Sequence, residues 1–271
     1  MASLKCRRGG SVAEEGIDRV PLLEVTDVGV RFGGVVALDG LSFEIEREQV
    51  CALIGPNGAG KTTLFNVVSR LYEPSEGTVV FDGVDLLSLP PHKIATLGIA
   101  RTFQNLALVP GLSVLDNVLV GAQSVTSGGF WIGALGLSIR SDRVVRKDAL
   151  GLLERLHLDH LAERPCAGLP FGTLKRIEIV RALMSRPKLL MLDEPASGLT
   201  HGEVDELGVL LRSLRDDLAL TVLLVEHHMG MVMGISDRVV VMEFGQKIAD
   251  GTPDEVRNDQ RVVAAYLGGP A

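Results

Sequence analysis

Short apolar runs, separated by polar and glycine-containing segments, dominate the first part of the chain. Three runs that are typical of β-strands lie at 22–30, 41–45 and 49–54. The last of them, QVCALI, is almost continuously apolar, as expected of a strand that is buried on both faces. It leads into a glycine-rich loop at 55–62. Apolar residues then recur at helical spacing at Leu64, Val67, Val68 and Leu71. The pattern therefore predicts a strand, a loop and a helix in that order.

The stretch 90–165 has a different pattern, which is mainly helical. Between 140 and 158, valines and leucines recur among charged residues, as on an amphipathic helix. Beyond this stretch we predict helices at 174–184, 203–214 and 262–267, and strands at 188–193, 220–226, 237–241 and 246–249. Because strands that alternate with helices indicate a largely parallel sheet, we expect an α/β core. A helical subdomain of about 105–170 is inserted into it.

The N-terminal segment and the middle of the chain bear on its location. Residues 1–20 are polar and aperiodic, so we expect a flexible N-terminal tail without the apolar segment of a secretory signal. The longest apolar stretch, 128–139, is too short and too rich in glycine to span a bilayer. It contains Trp131, whose apolar surroundings either pack against a partner protein or only cap the helical subdomain. We expect a cytosolic protein, and any connection to a membrane would have to come through a partner.

Composition narrows the classes of protein. Of the 271 residues, 46% are hydrophobic but only 4% are aromatic, so the core must be mainly aliphatic. This composition excludes a disordered chain. The formal net charge of −7 argues against a basic nucleic-acid-binding protein, although it leaves local basic patches open. The three cysteines are far apart and indicate neither a disulfide framework nor a metal site.

The loop at 55–62 matches the pattern G-x-x-x-x-G-K-[ST] at every fixed position. With the threonine that follows, its residues are Gly55, Pro56, Asn57, Gly58, Ala59, Gly60, Lys61, Thr62 and Thr63. Glycines let backbone N–H groups converge on phosphate oxygens, and the helix N-terminus adds positive potential. Lys61 is expected to reach the β- and γ-phosphates, and the Thr62 hydroxyl to bind Mg²⁺. The alternative is a chance glycine turn, which the flanking strand and helix argue against.

A second candidate element is the apolar run at 188–195, which ends in two adjacent carboxylates. Asp193, at the end of the predicted strand, suits a Mg²⁺ site beside the phosphate loop. Glu194 points the other way along the pleat and is the candidate general base for an attacking water. Taken alone, the segment could be a strand that ends in a solvated acidic turn.

A third segment, LPFGT at 169–173, precedes the helical pattern LKRIEIVRAL. With the phosphate loop and the acidic strand end, it resembles the ATPase subunit of ABC transporters over residues 21–268. The resemblance implies a single ABC ATPase domain with a P-loop NTPase (RecA-like) core and a mostly parallel sheet. It adds an N-terminal antiparallel β subdomain and the inserted α-helical subdomain. It also implies that ATP and Mg²⁺ lie between two ATPase subunits, where Leu169 and Gly172 of one face the nucleotide of the other.

The third segment departs from the family signature LSGGQ at three positions. Pro170 stands where the family has a serine, Phe171 where it has the first glycine, and Thr173 where it has glutamine. Without the serine hydroxyl, one hydrogen bond to a charged group, about 1.5–3 kcal/mol, is in doubt. Either this signature is weaker, or a partner subunit supplies a stronger one.

The resemblance assigns three further residues. Gln104 matches the glutamine that senses Mg²⁺ and the attacking water, and Phe32 takes the place of the aromatic residue that stacks on adenine. An ordinary loop glutamine and a buried strand phenylalanine are the respective alternatives. His227, preferred over His228, is the histidine that contacts the γ-phosphate. The implied catalytic set is Lys61, Gln104, Glu194 and His227, and the implied metal ligands are Thr62, Gln104 and Asp193.

Four shorter segments, at 31–34, 98–105, 233–238 and 265–268, resemble the larger ATPase of branched-chain amino acid importers. This implies ATP-driven uptake of such amino acids, or similar small amides, at the cytoplasmic face of the plasma (inner) membrane. The implied partners are permease subunits, a second identical or homologous ATPase subunit and, indirectly, a periplasmic or extracellular solute-binding protein, without nucleic acid. The alternatives are a lipopolysaccharide-type exporter ATPase, a soluble ABC ATPase that acts on nucleic acid, and a small-molecule kinase.

Overall fold

Strands that are buried along their whole length form the centre of the fold. In the computed structural model, which describes residues 20–102, 106–124 and 138–267, three such strands are β3, β7 and β8. The six strands of this sheet are β3 (Val50–Ile54), β6 (Ile99–Arg101), β7 (Leu189–Asp193), β8 (Thr221–Val225), β9 (Arg238–Glu243) and β10 (Gln246–Gly251). Their spatial order is β10-β9-β3-β8-β7-β6. All neighbours pair in parallel except β9 and β10, which confirms the predicted, mostly parallel sheet.

A second, antiparallel sheet is built from the N-terminal part of the chain. It contains β1 (Leu23–Phe32), β2 (Val35–Ile45), β4 (Glu76–Phe81) and β5 (Val84–Asp85), in the order β2-β1-β4-β5. The antiparallel β subdomain that the resemblance implies is therefore present. Strand β2 is longer than the predicted run at 41–45, because its first residues form an exposed hairpin with β1 that carries no apolar alternation.

Helices flank the parallel sheet. The described helices are α1 (Lys61–Val68), α2 (Val114–Val120), α3 (Ser138–Arg155), α4 (Phe171–Leu183), α5 (His201–Leu218), α6 (Met229–Ile235), α7 (Pro253–Asn258) and α8 (Gln260–Leu267). Helix α5 begins two residues before the predicted start, because Thr200 and Glu203 form a reciprocal capping box. None of the described helices is long and apolar enough to cross a bilayer.

Several elements differ from the prediction. Strands β4, β5 and β6 and helices α6 and α7 are not among the predicted elements, since each has at most seven residues and too few periods to show a pattern. The predicted tail at 1–20 lies outside the described residues except for its last residue, and so do Trp131 and Gln104. The bounds 105–170 of the helical subdomain stay a prediction.

Alternate residues of the buried strands pack on opposite faces of the sheet. On β7, Leu190 and Leu192 join the core that the helices α4 and α5 complete. Leu189 and Met191 join the core shared with α1 and the antiparallel sheet. Both faces are therefore covered, and the loops that follow β3, β7 and β8 meet at the carboxyl edge of the parallel sheet, where open α/β folds bind ligands.

Truncating a side chain of this core tests the packing. Leu53 lies in the centre of β3 and is fully buried, so Leu53→Ala should lower the free energy of unfolding by about 2–5 kcal/mol. Val209 is 72% exposed on α5, and Val209→Ala should change it by less than about 0.5 kcal/mol. Urea denaturation followed by circular dichroism measures both values. Equal effects of the two substitutions would contradict the placement of Leu53.

Candidate functional site

The loop between β3 and α1 requires glycine at defined positions. Gly55, Gly58 and Gly60 have φ values of 152°, 81° and 101°, which side chains rarely adopt. A Cβ atom on Gly55 would lie 2.1 Å from the carbonyl oxygen of Met242, and one on Gly60 would lie 2.5 Å from that of Ala37. A Cβ on Gly58 would meet no atom within 4 Å. The loop is therefore packed against the protein at both ends and is open at Gly58.

Lys61 is a buried cation in the concave part of the loop. Its side chain folds back so that Nζ donates hydrogen bonds to the carbonyl oxygens of Gly55, at 2.7 Å, and Pro56, at 2.9 Å. Only 6% of the residue is exposed, and burial lowers the pKa of its ammonium group, against the opposing effect of the negative charges on Glu194 and Asp193. A buried ammonium group held by neutral carbonyls fits an anionic ligand, which would supply the missing negative charge.

The N-terminus of α1 is equally suited to an anion. Its N-cap is Gly60, which provides no side-chain hydrogen bond, and the first turn contains no acidic residue. The N–H groups of this turn and the helix dipole thus face the loop without a carboxylate of the helix itself. Together with Lys61, this arrangement fits a polyphosphate such as that of ATP.

Asp193 is nearly buried at the end of β7 and forms an ion pair. Its Oδ2 accepts a hydrogen bond from Nη2 of Arg101 at 3.0 Å, and both side chains are less than 10% exposed. Arg101 also donates to Oδ1 of Asn66 at 2.7 Å and lies 5.3 Å from the ring centroid of Phe65, so it joins β6 to α1. Arg101 is not among the site residues predicted from the sequence, because its partner lies 92 positions away.

The predicted metal ligands fit Mg²⁺ only if a phosphate ligand joins them. Asp193 ends β7 and the exposed Thr62 lies in the first turn of α1, whereas Gln104 lies outside the described residues. Within the described part of the chain, no three His, Cys, Asp or Glu residues are arranged to hold a metal ion. Mg²⁺ at phosphate-binding sites takes one or two protein oxygens and completes its shell with phosphates and water, so a hydroxyl and a carboxylate are a suitable donor set.

Glu194 and His227 are brought together at the carboxyl edge of the sheet. Glu194 directly follows β7, its N–H donates to the carbonyl oxygen of Val225 at 2.9 Å, and its φ of 50° is uncommon for a residue with a side chain. Its Oε1 lies 3.0 Å from Nε2 of His227. Since an ionised carboxylate can only accept, this contact assigns the proton to Nε2. Both side chains remain partly exposed, at 23% and 40%.

Glu226 directly follows β8 and precedes the two histidines, whose side chains have different surroundings. Its carboxylate, of which only 1% is exposed, accepts hydrogen bonds from the backbone N–H groups of Ala196 and His227 at 2.6 and 2.9 Å. Nδ1 of His228 lies 3.2 Å from the same carboxylate, so His228 faces Glu226 and His227 faces Glu194. Glu226 is not among the residues predicted from the sequence. No local pattern marks it, because its partner Ala196 lies 30 positions away along the chain.

The signature segment lies at the start of α4. Phe171 is 44% exposed, its ring lies 5.5 Å from Nζ of Lys175, and it packs close to Gly198 in the loop after β7. Pro170 caps the helix without a side-chain hydrogen bond. Within the described residues no hydrogen bond joins Leu169 or Gly172 to the phosphate loop, so the structure of one chain does not bring them to that site.

Phe32 lies at the end of β1 and is 47% exposed, so it is not a buried strand residue. Its ring packs edge-to-face against Tyr72, with centroids 5.1 Å apart and an interplanar angle of 71°. Tyr72 is 40% exposed and is not predicted from the sequence. The two rings form an exposed aromatic pair that fits a planar base.

Comparison with known proteins places these features in context. The family model described as "ABC transporter" matches residues 38–197, and the one described as "Branched-chain amino acid ATP-binding cassette transporter" matches residues 246–271. The chain is 43% identical over 250 residues to the high-affinity branched-chain amino acid transport ATP-binding protein BraF of Pseudomonas aeruginosa, which covers 92% of this chain and 98% of the relative. It is 41% identical over 252 residues to the corresponding LivG protein of Escherichia coli K12, with the same coverage.

The fold has close counterparts among solved structures. A nucleotide-free ATP-binding cassette from an ABC transporter aligns with a TM-score of 0.80 at 32% identity. The alignment covers 92% of this chain and all of that one.

The close approach at Gly60 generates a prediction for the loop. Gly60→Ala should weaken ATP binding at least tenfold, because a Cβ atom there meets the Ala37 carbonyl and the backbone must move. Gly83→Ala is the matched control, since Gly83 also has a positive φ, of 76°, but has no atom within 4 Å of a Cβ and lies in the turn before β5. For each variant, the melting temperature without ATP measures stability, and the increase in melting temperature on adding ATP measures ATP binding. The control should lose about 1–2 kcal/mol of stability and keep the ATP-induced shift. A Gly60→Ala variant with an unchanged shift would contradict the prediction.

Proposed function

Because this chain belongs to the ABC transporter family, and is an ATP-binding ATPase subunit of branched-chain amino acid transport, we propose the roles of its residues and partners as follows. ATP binds with its phosphates in the loop 55–62, where Lys61 and the N-terminus of α1 provide positive charge. The adenine stacks on Phe32, which is exposed beside Tyr72. Hydrolysis takes place where the loops after β7 and β8 meet.

The 3.0 Å contact between Glu194 and His227 carries this proposal. Glu194 accepts the proton of the attacking water as the general base. His227 holds the Glu194 carboxylate by donating from Nε2. Its imidazole lies beside the terminal phosphate when ATP is bound. Both side chains are accessible from the edge of the sheet where the phosphate loop begins, so ligand and water can reach them.

Thr62, Asp193 and Gln104 would hold Mg²⁺. The bound ion would supply positive charge to the phosphates. The first two are suitable oxygen donors, and the ion pair with Arg101 orients the Asp193 carboxylate. Arg101 thus shares Asp193 with the metal site, and it anchors the carboxylate to α1 through Asn66.

A second ATPase subunit completes the site. Leu169 and Gly172 lie at the N-terminus of α4, whose first turn contains no acidic residue, so this helix end can bind a phosphate held by another subunit. Permease subunits in the membrane receive the work of hydrolysis, and a solute-binding protein delivers the amino acid to them. This places the chain at the cytoplasmic face of the membrane.

The C-terminal segment supports import of branched-chain amino acids over the alternatives. The family model that matches 246–271 is described for branched-chain amino acid cassettes, and BraF and LivG carry the same function in their names. Neither a lipopolysaccharide exporter nor a nucleic-acid clamp has a comparable observation in its favour.

The catalytic assignment predicts the effects of three substitutions. Glu194→Gln and His227→Ala should each lower kcat for ATP hydrolysis about 10²–10⁴-fold while ATP still binds, because the phosphate loop is intact. His228→Ala should lower kcat only a few-fold, since His228 faces Glu226 and not Glu194. Phosphate release at saturating ATP measures kcat, and a fluorescent ATP analogue measures binding. If His228→Ala were the slower of the two histidine variants, the assignment would be reversed.

Transport itself tests the substrate. The chain is co-expressed with the permease subunits and the second ATPase subunit of a branched-chain amino acid transport system and reconstituted in proteoliposomes with a solute-binding protein of that system. We expect ATP-dependent uptake of radiolabelled leucine, which Glu194→Gln abolishes without disrupting the complex. Uptake that is unaffected by this substitution, or none for leucine, isoleucine and valine, would contradict the proposal.

A further inference from the structure

Glu226 is a buried carboxylate whose contacts are made with the protein's own loops. It directly follows β8, and only 1% of it is exposed. Its Oε1 accepts a hydrogen bond from the N–H of Ala196 at 2.6 Å. Its Oε2 accepts from the N–H groups of His227 and His228 at 2.9 and 3.4 Å and lies 3.2 Å from Nδ1 of His228. Both oxygens are therefore engaged, and each of them faces a different loop.

The two loops that Glu226 joins carry the proposed catalytic pair. Ala196 lies two residues after Glu194, in the loop that follows β7, and His227 lies in the loop that follows β8. The parallel pairing of Asp193 with Val225 brings the strand ends side by side. Just beyond these ends, the N–H of Glu194 donates to the carbonyl oxygen of Val225, the last residue of β8. The Glu226 carboxylate then joins the two loops through its hydrogen bonds with the N–H groups of Ala196 and His227.

The backbone of Glu194 depends on such a bridge. Its φ of 50° is unfavourable for a residue with a side chain, and such conformations persist only where the surroundings impose them. The hydrogen bond from the N–H of Ala196 to Glu226 fixes the chain just after Glu194. The hydrogen bond from the N–H of Glu194 to the carbonyl oxygen of Val225 fixes Glu194 itself. The direction of the Glu194 side chain towards His227 follows from these two contacts.

We propose that Glu226 is a positioning residue for hydrolysis: it ties the loop of Glu194 to the loop of His227 and holds the two side chains in contact. Glu226 does not touch ATP or the attacking water and acts through the other two residues. This inference rests on the proposed catalytic roles of Glu194 and His227.

Substituting the carboxylate by an amide of the same shape tests the proposal. In Glu226→Gln one end of the side chain becomes a donor and faces a backbone N–H, so at least one of the two loops is released. In the full-length protein we expect kcat for ATP hydrolysis to fall about 30-fold or more, whereas KM and the affinity for a non-hydrolysable ATP analogue stay within threefold. Glu154→Gln, an exposed carboxylate on α3, is the matched control and should leave all three values unchanged.

A double substitution separates positioning from a general loss of structure. If Glu226 acts through His227, adding Glu226→Gln to His227→Ala should slow hydrolysis by less than threefold beyond His227→Ala alone. If the two effects multiply, or if Glu226→Gln alone keeps kcat within threefold of the unmodified protein, the proposal is overturned. Should Glu226→Gln fail to fold, Glu226→Asp keeps the charge but shortens the reach, and the same kcat and affinity criteria apply to it.

The reference variants distinguish failure of this inference from failure of the proposed function. Slow Glu194→Gln and His227→Ala variants beside an active Glu226→Gln variant would refute only the positioning role. Full activity of Glu194→Gln and His227→Ala would refute the catalytic roles, and the positioning role with them.

Discussion

The parallel pairing of β3, β7 and β8 is the constraint on which the candidate site depends. These strands are buried on both faces. A shift in register would therefore expose apolar side chains at one end of a strand and bury polar side chains at the other. With the register fixed, Asp193 pairs with Val225, and the next residues of both strands emerge side by side. The phosphate loop starts at the end of β3, which pairs with the other side of β8. The hydrophobic core thus determines where the charged residues meet.

Three acidic side chains lie at the carboxyl edge of the parallel sheet, and the negative charge of each is balanced by different partners. Asp193 is paired with Arg101, Glu194 is in contact with His227, and Glu226 is satisfied by backbone N–H groups. Among the described residues, Lys61 has only carbonyl oxygens within hydrogen-bonding distance. The positive charge that is not balanced by a carboxylate therefore lies in the phosphate loop. The proposed general base, Glu194, lies outside this loop.

Whether a feature of the fold or the site can be predicted from the sequence depends on how far apart along the chain its interacting residues lie. The mostly parallel sheet and the glycine loop follow from local patterns: buried runs, glycines before a helix, and alternation of strands with helices. Strand β6, with three residues, and the hairpin β4–β5 have too little periodicity to be recognised. Arg101, Tyr72 and Glu226 were beyond prediction because their significance depends on partners that only the folded chain brings near.

The two adjacent histidines show how the fold resolves an ambiguity that the sequence leaves open. His227 and His228 have the same side chain and are almost equally exposed, at 40% and 37%. Successive residues at the end of a strand point in different directions, so one imidazole reaches the Glu194 carboxylate and the other turns to Glu226. The difference in role that we propose for these two identical residues then arises from the carboxylate that each one meets. Because Glu226 also accepts the N–H of His227, the carboxylate that engages His228 helps to direct His227 towards Glu194.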